Sequence, residues 1–90
     1  MSDRELLEFA AKAAEEWPSP EPFQHVLDRW NPLADDGDAL RLAVKLELNV
    51  LPGVAQDGEG RIIVDKTVDP LAATRRAIVR AAAEIGRSMK

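Results

Sequence analysis

The chain has no cysteine and no tyrosine, a single histidine, and only two tryptophans and two phenylalanines in 90 residues. Without cysteine there is no disulfide framework, thiolate zinc site or thiol nucleophile. No apolar run approaches the roughly 20 residues that a membrane-spanning helix needs. The opening "MSDRELLEF" carries acids where a secretory leader has positive charge followed by a long apolar stretch. The expectation is a protein of the cytoplasm with no membrane partner. There is no G-x-G-x-x-G, no P-loop and no H-x-x-x-H pair, so no cofactor-binding or metal-binding residues are nominated. Positive charge is also short. Sixteen acids against 12 bases give a net charge of −4. That makes nucleic acid an unlikely partner, since its binders gain affinity chiefly by neutralising phosphates. A local basic patch on an acidic body is still compatible with it.

What is present reads as one small globular domain over residues 1–90. A chain of this length buries about 60–65% of the surface its unfolded form exposes, so its core is thin. The apolar fraction of 46% is ordinary, and the charged fraction of 31% slightly high.

The first helix opens on Ser2 and Glu5, which have the S-x-x-E spacing of a capping box. Helical arithmetic puts Leu6, Ala10, Ala13, Ala14 and Trp17 on one side and Glu5, Glu8, Lys12, Glu15 and Glu16 on the other. Pro18 stops the helix near Glu16, and "PSPEP" is a stiff connector. Phe23–Trp30 stays open between strand, loop and short irregular helix. The helical grouping Phe23, Val26, Leu27, Trp30 is the more uniformly apolar.

After the Asn31-Pro32 turn, Asp35 or Asp36 stands where an N-cap belongs. The following helix spreads Ala39, Leu40, Leu42, Ala43, Val44 and Leu46 over about half its circumference. So wide an apolar face predicts several neighbours and makes this the central helix. "RIIVDKTV", Arg61–Val68, is β-branched and reads as a strand. Asp57-Gly58 and Gly60 supply a hairpin turn before it. Pro52-Gly53 interrupts the other arm, which is therefore short, bent or at a sheet edge. Asp69-Pro70 opens the last helix, lined on one face by Leu71, Ile78, Ala82, Ile85 and Met89, with Gly86 a candidate stop. The fold class expected is α+β: three helices on a short antiparallel hairpin or three-stranded sheet, a small α-β-α sandwich.

Four constellations bear on function. Asp35, Asp36 and Asp38 form the most acid-dense spot, but they lack the alternating oxygen ligands of a calcium loop, and position 46 is leucine where that loop ends in glutamate. Helix capping is the better reading. His25 has no serine or carboxylate partner nominated by the sequence, so it is read as a surface or partly buried residue, and no catalytic residue is assigned. Trp17 and Trp30 are read as packing residues, because each buries a large area in a core poor in aromatics. Arg76, Arg80 and Arg87 project within about 40° of one another on the last helix. They form a basic ridge and are the candidate contact surface for an acidic partner. The competing reading is a solvated face, with Glu84 partly neutralising Arg80.

Three blocks, "DRELLEFAAKAA", "WNPLADDGDALRLAVKL" and "DPLAATRRAIVRAAAEIGRSM", resemble a group of short uncharacterised proteins of tailed phages and prophages. The resemblance extends to the phage "ABA sandwich" domains, which share a Trp-Asn/Ser-Pro entry, a helix, strands and an alanine-rich last helix. It implies helices on both sides of a small antiparallel sheet and a phage or prophage origin in a bacterial host cell. It carries no activity over. The function expected is that of a non-enzymatic accessory protein binding a host or phage protein, with a nucleic-acid-associated factor as the alternative. An open sheet edge also makes a homo-oligomer a candidate assembly.

Overall fold

A computed structural model describes residues 2–17 and 20–89. The elements are α1 (Asp3–Ala14), α2 (Phe23–Leu27), α3 (Asp36–Lys45), β1 (Asn49–Leu51), β2 (Val54–Gln56), β3 (Ile62–Val64) and α4 (Pro70–Ser88). The fold is α+β, with one antiparallel sheet in the order β1-β2-β3. Pro18 and Ser19 of the proline connector lie outside the described residues.

Local chemistry sets the ends of the helices. At α1 the Ser2 hydroxyl accepts from the Glu5 amide at 3.2 Å, while the Glu5 carboxylate accepts from the Ser2 amide at 3.3 Å. The capping box is closed in both directions. The helix ends at Ala14, slightly earlier than Pro18 alone requires, because Glu15 adopts a left-handed conformation with φ 57°. In α4 the Asp69 carboxylate accepts from the Leu71 amide at 3.1 Å, with Pro70 in the first turn. The open segment Phe23–Trp30 resolves as the short helix α2, burying Phe23 and Val26, with Trp30 buried just beyond it. Trp17 is half-buried and tilts against Phe23 with ring centroids 4.8 Å apart. Its indole N–H donates to the Glu21 carbonyl at 2.6 Å, so both tryptophans pack within the fold.

Several expectations change. Pro52-Gly53 does interrupt the first arm, leaving β1 short and at the sheet edge, but as the two-residue loop of a separate hairpin, with Leu51 paired to Val54 and Gly53 at φ 71°. Proline followed by a residue at positive φ is the type II turn pattern, which glycine fits without steric cost. The Gly53 amide also donates to the Thr74 hydroxyl at 2.9 Å, fastening this turn to α4. The strand predicted over Arg61–Val68 is limited to Ile62–Val64. It ends there because the Asp65 carboxylate turns back to accept from the Thr67 amide, offering the backbone a local alternative to the ladder.

The central helix is α4, not α3. Helix α4 packs against α1, α3 and all three strands. It buries Ala73, Ala77, Ile78, Val79, Ala81, Ala82 and Ala83 around its circumference. Alanines let three neighbours come close where larger side chains would hold them off. Gly86 does not stop the helix, which runs on to Ser88. A Cβ there would lie 1.9 Å from the Phe9 carbonyl oxygen, so Gly86 is the point where α1 and α4 touch backbone to backbone. The pairs Asp3–Arg76, Phe9–Gly86 and Lys12–Met89 rise together along both helices, so α1 and α4 run parallel.

In the sheet, Val50, Ala55 and Ile63 are cross-strand neighbours on one face. Ala55 is fully buried under α4. Leu51, Val54, Ile62 and Val64 share the other face, where Leu51, Ile62 and Val64 are exposed. The sheet therefore has one helical layer over it among the described residues.

Candidate interaction surface

The three aspartates at the start of α3, Asp35 as its N-cap and Asp36 and Asp38 in its first turn, are all engaged in holding it. Asp35 is the N-cap and accepts from the Asp38 amide at 2.8 Å. Asp38 accepts from the Asn31 amide at 2.9 Å and from Arg41 at 2.5 Å. Asp36 meets Arg75 at 2.6 Å, and the Arg75 Nε–H also donates to the Leu33 carbonyl at 2.9 Å. The sequence reading of these carboxylates as caps is what the geometry displays, with Asp36 adding a tie from α3 to α4. His25 is exposed on α2, and no side-chain hydrogen bond reaches its ring among the described residues.

Arg76, Arg80 and Arg87 are brought together as the helical spacing predicts. With Leu6, Ile63 and Glu84 they line a shallow groove of about 360 Å³. Each guanidinium there faces a carboxylate of the same chain. Arg76 pairs with Asp3 at 2.7 Å and lies 3.7 Å from Asp65. Arg80 pairs with Asp65 at 3.4 Å and donates to the Val64 carbonyl at 3.3 Å. Glu84 pairs with Arg87 at 3.2 Å rather than with Arg80. The ridge is thus a charge-balanced seam joining α1, β3 and α4, and little free positive potential remains on it.

Asp65 is the hub of that seam. Burial alone would raise its pKa. Hydrogen bonds from the Thr67 hydroxyl and amide, and the charge of Arg80, outweigh burial and hold the carboxyl below its ordinary value. Asp57 is held low in the same way: burial opposes, but the Arg61 and Glu59 amides, each 2.9 Å from its Oδ1, and the Arg61 side chain prevail. This carboxylate organises the β2–β3 turn, which the glycines had located without showing what fastens it.

The feature that sequence reasoning missed is an apolar surface at the opposite side of the molecule. Helix α3 leaves Leu40 and Val44 64% and 68% exposed. Beside Leu40 in one groove, Val50 is 37% exposed and Leu71, at the start of α4, 62%. Ala39, Leu40, Ala43, Val50, Leu71 and Ile78 line one groove of about 300 Å³, with the Asp36–Arg75 ion pair at its rim. The signal was in the sequence as the over-wide apolar face of α3. That face was assigned to neighbours within the fold, yet about half of it meets water. No protein family, characterised protein or solved structure matches the chain.

Proposed function

We propose that this protein is a phage or prophage accessory protein that acts by binding another protein rather than by catalysis, within the cytoplasm of a bacterial host. The observation that carries the reading is the cluster Leu40, Val50 and Leu71, three large aliphatic side chains exposed along one groove, with exposed Val44 one turn on from Leu40. At those exposures they offer on the order of 400 Å² of apolar surface, within the range for the largest patch on a typical soluble monomer, where such patches mark contact sites. The three-block resemblance to short phage proteins supports the origin, and the absence of a transmembrane-length apolar helix among the described residues accords with the compartment. The contact surface shifts from the arginine ridge to the apolar cluster, because Arg76, Arg80 and Arg87 are already opposed by Asp3, Asp65 and Glu84. The same pairing weakens the nucleic-acid reading of that ridge.

The test is affinity capture from a lysogenic host, before and after induction, with the wild-type chain and a Leu40→Asp/Leu71→Asp variant shown to be folded. Association with a protein, whether from the host, the phage or a copy of the bait, that depends on these two residues supports the reading. Associations identical for both baits contradict it.

A further inference from the structure

The geometry points to a second copy of this chain as the occupant of that surface: a two-fold homodimer in which β1 pairs antiparallel with β1 of the other copy and the two α3–β1–α4 grooves face each other. This rests on the reading of the apolar cluster as a contact site and adds the identity of the partner.

The backbone of β1 supplies the first reason. Leu51 and Val54 flank a two-residue loop, so they exchange ladder hydrogen bonds, as do Asn49 and Gln56 one step further. Val50, opposite Ala55, falls between them at a non-hydrogen-bonded position, and its N–H and C=O point away from β2 to the sheet edge. The outward row has no free donor on either side of Val50. The Leu48 amide already donates to the Ala43 carbonyl at 2.9 Å, and position 52 is proline, which has no N–H. Val50 is the one residue of that row left with both a donor and an acceptor, while Leu48 and Pro52 offer carbonyls alone. An antiparallel pair of Val50 with its own equivalent satisfies both at once, in one register, about a two-fold axis.

The surroundings of the strand supply the second. A standard interface buries about 800 Å² per partner, with an apolar centre and a polar rim. Leu40, Val44, Val50 and Leu71 supply roughly half of that area, and Val50 places them at the β1 edge, so pairing the strands brings the two clusters together. Charge does not oppose this. Asp36 and Arg75 at the rim are paired with each other, and Lys45 lies 3.8 Å from Glu16. Glu47 falls opposite Gly53 of the other copy, far from its own equivalent. The far edge of the sheet cannot serve in the same way, because Arg80 donates to the Val64 carbonyl there and Asp65 lies beside it. A charged edge resists strand addition, so association closes at two copies instead of propagating.

Sedimentation velocity over a concentration series tests this with the full chain, a Leu40→Asp/Val44→Asp variant and an Ile62→Asp control on the other sheet face, each checked for folding by circular dichroism. The expected result is a twofold rise in mass above the 9.9 kDa of one chain for wild type and the control, lost in the α3 variant. A wild-type chain that stays monomeric throughout, or a dimer that ignores the α3 substitutions, overturns the proposal. A monomer whose α3 variant alone loses a captured protein overturns the dimer and leaves the contact site standing. A monomer whose variant captures all that wild type does overturns both.

Discussion

Helix α4 is packed on two flanks by helices of similar apolar content, and the two contacts are finished very differently. Toward α1 the backbones meet at Phe9 and Gly86, and Leu6, Leu7, Ala10, Ala11 and Ala14 of that helix are buried. On the α3 side only Ala39, Leu42 and Ala43 of that helix are buried, and Leu40 and Val44 stand in water. The α1 flank is the more fully buried, and the α3 flank leaves exposed the apolar surface that the proposed association uses.

Gly86→Ala attacks the close flank and has the largest expected effect. The added methyl meets backbone, not a movable side chain, so α1 and α4 must separate. The cost is about 3 kcal/mol, at the upper end of overpacking penalties, and about 12–24 °C in melting temperature. A variant melting within a few degrees of wild type would show that the two backbones are not tightly apposed.

Asp35→Ala attacks the open flank through its cap. Loss of one N-cap bond costs about 1 kcal/mol, and amide exchange should accelerate in α3 while α1 and the second half of α4 keep their protection. Uniform acceleration across all helices would mean that α3 is not the looser partner.

Asp65→Asn probes the ionic seam of the α1 flank by pH. The carboxyl is held below its ordinary value in the folded chain. Its contribution to stability is therefore present above the unfolded pKa of about 3.9 and is lost as pH falls through the lower folded value. The variant should melt below wild type at pH 6, with the gap narrowing at pH 3. A gap that widens in acid would reverse the sign and exclude the seam as its origin.

Leu40→Asp has the smallest expected effect on the isolated chain, within about 0.5 kcal/mol at concentrations where the chain is monomeric, because the side chain is already largely in water. A loss comparable to that of Gly86→Ala would mean that Leu40 belongs to the core.

What could be read from the sequence was local. The Ser2–Glu5 box, the Asp35 and Asp69 caps and Pro70 all act within a few residues of their own position, and each appears where its spacing places it. The ridge of Arg76, Arg80 and Arg87 was legible as a periodicity. Its neutralisation was not, because Asp3 lies 73 residues from Arg76 and Asp65 is brought in by the chain reversal after β3. The same limit displaced the central helix. Counting apolar positions favours α3 with its leucines over α4 with its alanines, yet neighbours can close around alanine from several sides. Gly86 looked like punctuation, since the property that matters there is the Phe9 carbonyl of another helix. Pro52-Gly53 carried the signature of a turn, and treating it as a flaw in one strand hid the third strand of the sheet.

The association surface has one reporter of its own, the Val50 amide, which no strand of the same chain covers. Its hydrogen-exchange rate, measured in dilute and in concentrated protein, should fall markedly with concentration while the amides of Leu51 and Asn49 change little. Equally fast exchange of Val50 at every concentration would contradict pairing through β1, and with it the association proposed for the α3 flank of α4.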